Sequence, residues 1–173
     1  MTQTTTAPTL AAADFKRFMG YWSTGVAVVT CAAADGRPIG CTVNALTSVS
    51  VSPPLLLVSL ADRSRTLAAI QAQQRLGVNL LPARRPDLAR RFAYGNPPER
   101  FAGVEHEWAL DVPILDEVVT AAVCVPRQCL SVADHVLVLA EPVWWKPTGH
   151  GSPLVSFDRG YWSLWSMAFL GRH

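Results

Sequence analysis

The five residues Asp62-Arg63-Ser64-Arg65-Thr66 stand where an apolar run gives way to a helix-like pattern. Free N–H groups at a helix start point outward, and the helix dipole favours an anion there. Ser64, Arg65 and Thr66 add two hydroxyls and a planar cationic fork, which together make a small phosphate site. A plain N-cap with a solvent-facing arginine accounts for the same five residues.

A second chemical feature lies upstream, in "GCTVNALTSVSVSPPLLLVSL", Gly40 to Leu60. Polar Thr42 and Asn44 alternate with apolar Cys41, Val43 and Ala45, and Ser48 to Ser52 keep that phase, but Leu46 and Thr47 are inverted. A half-buried strand alternates with period two, so an inversion marks either a bulge or a strand crossing between sheet faces. A bulge would leave backbone N–H and C=O groups of Asn44, Ala45 and Leu46 free to meet the edge of a planar heterocycle. Thr42, Asn44, Thr47 and Ser48 would add short polar side chains.

Two further features carry less information. His135 opens the apolar run "HVLVL" with Asp134 beside it, at the mouth of a strand, although a lone histidine also serves purely structural roles. Arg84-Arg85 and Arg90-Arg91 read as a solvated helix face, while Arg91 followed by Phe92 could also meet a phosphate or a ring.

The elements that must position these groups follow from local signals. Residues 1–9 are rich in Thr and Pro and read as a loose tail; the folded domain is expected over residues 14–173, after a tail of residues 1–13. From Asp14, as N-cap, Phe15, Phe18, Met19 and Trp22 recur at helical spacing and predict a short helix with a core-facing stripe. Ala34-Asp35-Gly36 predicts a tight hairpin turn between two strands, and Pro53-Pro54 precedes a buried strand "LLLVSL". The cap at Ser64 leads into a helix with Leu67 and Ile70 inward and then into the strand around "GVNLL". Pro86 suits the first turn of a second short helix. Further strands are expected at Glu117 to Val125, His135 to Trp145 and Tyr161 to Trp165. Many short strands with few helices predict a β-barrel rather than a parallel βαβ sheet.

Composition sets the outer bounds. Of 173 residues half are apolar, enough for one well-filled core, and the net charge of +2 with no basic stripe argues against nucleic acid. No apolar run reaches the ~20 residues of a membrane helix, and no basic-then-apolar leader stands at the amino end, so a soluble cytoplasmic protein is expected. Cys31, Cys41, Cys124 and Cys129 lack CxxC spacing and lie in apolar surroundings, which reads as four reduced, mostly buried thiols. His106, His135, His150 and His173 are not at metal-ligand spacing, so no metal is expected.

In order along the chain, "FMGYWSTG", "TVNALTS", "SRT", "GVNLL", "LARRFA", "PILDEVV", "ADHVLVLAEPV" and "SFDRGYW" resemble the flavin reductase family that partners two-component flavin-dependent monooxygenases. The resemblance implies a mainly β fold, a split β-barrel of Greek-key type with a few short helices, in a homodimer with two flavin sites near the interface. It implies an enzyme that passes hydride from NADH or NADPH to FMN or FAD and supplies reduced flavin to a monooxygenase. Residue by residue, it sets Val43, Asn44, Ala45, Leu46 and Thr47 along the flavin, Ser64, Arg65 and Thr66 at its phosphate, and His135 near the nicotinamide as an orienting or proton-balancing group. Arg159, Gly160 and Tyr161 match a stretch that approaches flavin or NAD(P)H, with Trp162 competing for the aromatic role. Ala133 stands where similar reductases have glycine, and Ala45 where many have serine. The absence of GxGxxG agrees with a non-Rossmann nucleotide site. An oxidase holding FMN on a related barrel and a non-catalytic flavin-binding protein remain alternatives.

Overall fold

The computed structural model of the chain describes residues 9–147 and 151–164. The elements run α1 (Ala12–Gly20), β1 (Thr24–Gly25), β2 (Ala27–Ala32), β3 (Pro38–Val43), β4 (Leu46–Val51), β5 (Pro54–Ala61), α2 (Arg65–Gln73), β6 (Leu76–Leu80) and α3 (Pro86–Tyr94). After a short 3-10 turn at Pro97–Glu99 come β7 (His106–Ala109), β8 (Val112–Leu115), β9 (Thr120–Val132), β10 (His135–Lys146), β11 (Leu154–Phe157) and β12 (Gly160–Ser163). The fold is mainly β, as expected.

Seven strands pair antiparallel in the order β3-β2-β6-β9-β10-β5-β4. Laid flat, the outer strands of such a sheet would lie about 29 Å apart at the usual strand spacing. Yet β3 and β4 are those outer strands, and only Asn44 and Ala45 join them. A link from Val43 to Leu46 spans at most about 11 Å, so the sheet must curl until its edges meet. Closure as a barrel is therefore forced by the shortness of one connection.

Both faces of the curled sheet are filled. Along β2 the side chains alternate between two cores: Ala27, Val29 and Cys31 join Leu67 and Ile70 of α2 on one face, whereas Val28 joins Leu88 and Phe92 of α3 with Ile114 of β8 on the other. This is why β2 is apolar almost without interruption. The second core is tied by one buried amide. Asn79 donates to Val28 O at 3.0 Å and to Thr30 Oγ1 at 3.1 Å, and its Oδ1 accepts from Leu115 N at 2.9 Å. Thr30 in turn donates to Pro113 O at 2.6 Å, so the β7-β8 hairpin is pinned across the sheet. Gly77 keeps that approach open, since a Cβ there would collide with Thr30 Oγ1 and touch Val112.

Local signals hold where they were strongest. Gly36 adopts φ +78° in the β2-β3 turn, Ser64 caps α2 by accepting from Leu67 N at 3.3 Å, and Pro86 starts α3. Several expectations are corrected. Helix α1 begins at Ala12 with Ala11 at its cap, so Asp14 lies in the first turn. No residue of α1 is buried, and the stripe of Phe15, Phe18, Met19 and Trp22 faces outward instead of into the core. Strand β9 runs on past Pro126 to Val132, because Pro126 sits at a register shift where its missing N–H is tolerated. Strands β7, β8 and β11 lie outside the strands expected from the sequence. The hairpin of β11 and β12, joined to β1, forms a separate three-stranded sheet. Cys31 and Cys124 are buried, which pushes their thiols up to about 11 and about 12, but Cys41 is half-buried and Cys129 exposed. The loose tail, the strand end at Trp165, and His150 and His173 lie wholly or partly outside the described residues.

Candidate functional site

The inverted pair Leu46-Thr47 is not a bulge. Both residues pair regularly, with Val58 and Leu57, and the β4-β5 irregularity lies further on, between Ser48 and Ser50. The phase changes because the chain leaves one barrel edge at Val43 and joins the other at Leu46. One backbone group expected to be free is used in this crossing, since Ala45 O accepts from Ser59 N at 3.0 Å. The side chains of Asn44 and Ala45 are exposed. A cleft follows the crossing on the surface, and every groove along it is lined by residues of the segment Thr42 to Thr47 or their immediate neighbours.

At one end a groove of about 320 Å³ surrounds the start of α2, where Ser64, Arg65 and Thr66 are joined by Arg63, Arg100, Cys41 and the buried ring of Phe92. Arg100 is held in place by carbonyls, donating through Nε to Gly95 O and through Nη1 to Gly40 O, both at 2.9 Å. Burial pulls its guanidinium pKa down, with Arg65 acting the same way, yet an arginine keeps its charge. Cys41 is raised by burial, partly offset by the Thr66 and Ser64 hydroxyls beside it. No carboxylate lines this groove. A helix N-terminus, two hydroxyls and three guanidiniums without an acid fit a phosphoryl group.

In the middle, Asn44, Ala45, Ser59, Ser64 and His135 share a groove. Asp62 N donates to Asp134 O at 3.0 Å, which fastens the loop before α2 to the β9-β10 turn and brings His135 beside Ser64. His135 is half-exposed, and its Nδ1 lies 2.8 Å from Asp134 Oδ1. The Asp134 carboxyl is held below its ordinary value by that hydrogen bond. With Nδ1–H donating to the Asp134 carboxylate, Nε2 is the ring nitrogen left for a ligand. Ala133 in that turn adopts φ +52°, a conformation that glycine takes without strain and alanine does not.

At the far end a groove of about 480 Å³ is lined by Thr42, Val43, Asn44, Arg159, Gly160 and Tyr161 together with Arg90 and Tyr94 of α3. Tyr161 is half-buried under the Arg90 guanidinium, 5.4 Å from ring centroid to Cζ. Trp162 points elsewhere and donates to Phe157 O at 2.9 Å, so the aromatic position belongs to Tyr161. Thr42 borders both end grooves with its hydroxyl occupied, donating to Ala89 O at 2.7 Å. Leu46 and Thr47 border an apolar recess with Met19, Trp22 and Leu57. Thr24 Oγ1 in the same recess is buried without a partner among the described residues.

Most of the residues singled out from sequence therefore meet along one cleft. Arg91 does not: its guanidinium donates to the carbonyls of Glu99 and Ala102. Phe92 contributes the floor of the phosphate groove from within the core. The residues missed are Arg63, Cys41, Arg90, Tyr94 and Arg100. Helical spacing carried a signal for one pair, because Arg90 and Tyr94 are four apart and share a face, whereas Arg91 is turned by about 100°. Nothing in the sequence joins Arg100 to Arg65.

The flavin reductase like domain family matches residues 19–164. The chain belongs to the flavin reductase family. It is 42% identical over 135 residues to a flavin reductase (NADPH) of Lentzea aerocolonigenes, covering 76% of this chain and 78% of that one. It is 34% identical over 148 residues to the reductase component of a 4-nitrophenol 4-monooxygenase/4-nitrocatechol 2-monooxygenase of Rhodococcus opacus, covering 86% and 78%. The crystal structure of a flavin reductase domain protein from an Arthrobacter species superposes with a TM-score of 0.82 at 28% identity, covering 88% of this chain and 95% of that one. The chain spans only 42% and 56% of the length of two other relatives, both from Rhizobium meliloti. Family membership thus agrees with the mainly β fold.

Proposed function

We propose that this chain is an NAD(P)H:flavin oxidoreductase that reduces FMN or FAD and passes the reduced flavin to a flavin-dependent monooxygenase. The observation that carries this reading is the single cleft along Thr42 to Thr47, with a carboxylate-free cationic end at α2 and a histidine midway. NAD(P)H, oxidised flavin and one proton give NAD(P)⁺ and reduced flavin; flavin supplies the hydride acceptor when bound.

The chain's part is to bind and orient. Ser64, Arg65 and Thr66 hold the flavin phosphate, and Thr42, Val43, Asn44, Ala45, Leu46 and Thr47 flank its ring and side chain. His135, kept in one orientation by Asp134, faces the nicotinamide and balances protons through Nε2. Arg159, Gly160 and Tyr161 close the far side. Arg91 is spent on main-chain carbonyls and takes no part.

We also read the chain as a homodimer acting in the cytoplasm, where the NAD(P)H pool is. Helix α1 exposes Phe15, Phe18, Met19 and Trp22 beside the Ala45 recess, an apolar stripe suited to a second copy of the same surface. Sedimentation of Phe18→Glu is expected to show monomer at concentrations where wild type is dimeric; a monomeric wild type removes the dimer. Among the described residues no helix is long and apolar enough to cross a membrane.

The deciding experiment is steady-state oxidation of NADH and of NADPH with FMN, FAD and riboflavin supplied in turn. Turnover with at least one pair is expected. Flavin binding without any NAD(P)H consumption would favour a flavin carrier, and flavin that stays bound through gel filtration would favour an oxidase with resident FMN.

A further inference from the structure

The two ends of the barrel core are finished differently. Strand β5 runs into α2 and α2 into β6, so Leu67 and Ile70 of that helix close one end of the core. At the opposite end Leu46, Leu56, Leu80 and Ala122 are only partly buried, and with Thr120 and Trp145 they line an open recess of about 320 Å³. Five neighbouring strands, β6-β9-β10-β5-β4, supply its wall. Among the described residues no charged side chain lines it.

Two irregularities of the sheet lie at this mouth. Strand β4 slips register against β5 between Ser48 and Ser50, and β10 slips against β9 between Pro142 and Trp144. The second slip decides what faces the recess. Val136, Val138 and Ala140 point into the α2-side core, so unbroken alternation would send Trp144 the same way. After the extra residue Val143, Trp144 packs instead against the opposite core, and Trp145 turns into the recess. Its indole is fixed there: Nε1 donates to Thr120 Oγ1 at 2.8 Å, and Thr120 donates to Lys146 O at 2.9 Å. A ring held this firmly yet 65% exposed presents a flat apolar surface to whatever enters the mouth.

The lining states the chemistry of the occupant. Without a counter-charge an ion would give up its hydration for nothing, so the occupant is neutral. The volume admits one ring or two fused rings, and the open face of Trp145 favours an aromatic one. The Ser48 hydroxyl at the rim has no partner among the described residues and can meet one N–H or O–H group. We propose that this barrel mouth is a binding site for a small neutral aromatic molecule, separate from the flavin cleft but coupled to it. Leu46 and Thr47 carry the coupling, since they line both the mouth and the recess that Ala45 shares with Met19 and Trp22. A ring packed on one side of them restrains the start of β4, on whose other side the flavin is read to lie. The coupling, though not the site, rests on that reading.

Indole is the probe, and the test needs no turnover. Calorimetric titration into the flavin-free chain is expected to show one site, about tenfold weaker in Trp145→Ala and in Ala122→Leu, which fills the recess. Benzoate, a charged ring, should give no heat at the same concentrations. No indole binding by wild type, or undiminished binding by Trp145→Ala with a normal melting curve, overturns the site. So does competition, in which FMN raises the apparent Kd for indole in proportion to its concentration, because indole then occupies the cleft. Sedimentation tests the other occupant: a wild-type dimer that Trp145→Ala dissociates assigns the mouth to a second copy and overturns the small ligand. With indole saturating, affinity for FMN is expected to rise about threefold in wild type and not at all in Trp145→Ala. Unchanged FMN affinity in both removes the coupling. A wild type that binds indole but no FMN keeps the site and removes the reductase reading, so the two fail separately.

Discussion

Asn79 and Asn44 both belong to the barrel wall and have the same donors and acceptors, but the structure uses them in opposite ways. Asn79 is fully buried, and its amide joins Val28, Thr30 and Leu115 in three hydrogen bonds. Asn44 is exposed at the crossing between barrel edges, where no described residue claims its side chain. A satisfied polar group under the β7-β8 hairpin holds the fold, and an unsatisfied one on the cleft is available to a ligand. The hydroxyls at the anion groove are intermediate cases: Ser64 accepts from Leu67 N and Thr66 is buried beside Cys41, yet both still border the groove. Burial without a partner is costly, so groups on the Asn79 side must be paired, while groups on the Asn44 side can wait for a ligand.

The contrast can be broken from either side. The largest effect is expected at the buried node. Asn79→Ala leaves Leu115 N and Val28 O without their partner and should lower stability by about 3 kcal/mol, read from denaturant unfolding, with flavin affinity of the folded fraction unchanged. Loss of flavin binding in the folded fraction would join the two regions that are separated above. Arg65→Ala should do the reverse, leaving the melting temperature alone and raising the KM for FMN by about 2 kcal/mol relative to riboflavin. Equal effects on both flavins would take Arg65 out of the phosphate site.

Ala45→Val sharpens the comparison at the crossing. Ala45 is exposed on the groove it shares with His135, so two added methyl groups meet the ligand and not the core. Flavin affinity should fall about tenfold, or 1.4 kcal/mol, and stability should stay within about 0.5 kcal/mol of wild type. A destabilised variant with normal flavin affinity would make the crossing a packing element. The smallest effect is expected at Ala133, whose φ of +52° is a left-handed strain. Ala133→Gly should stabilise by roughly 0.5 to 1 kcal/mol in thermal unfolding, the relief of strain exceeding the added chain entropy of glycine. No gain would mean that the turn imposes no net strain on alanine.

Much of this could be read before the fold was known, and the failures have physical reasons. The Asp35-Gly36 turn, the Ser64 cap and Pro86 at the start of α3 are events within a few residues, governed by backbone angles and local hydrogen bonds. The α1 stripe was legible as amphipathic but not as outward-facing, because periodicity names a face and not what covers it. Strand β8 was hidden by Pro113, whose carbonyl is an acceptor for Thr30 and whose missing N–H costs nothing there.

Residue order along the chain determined which side chains could do chemistry: the hydroxyls and cation of Ser64 to Thr66, the short polar groups of Thr42 to Thr47, and the imidazole of His135. Their meeting was decided only by closure of the barrel. The two-residue crossing brings the first and last strands of the sheet together, and Asp62 N to Asp134 O ties the α2 loop to the histidine turn. Arg100 reaches Arg65 across 35 positions, and Arg90 reaches Arg159 across 69, by contacts between elements that no spacing rule connects. Local propensity acts over a turn or two of chain, whereas the charge of a cleft is the sum of whatever tertiary packing brings to its rim.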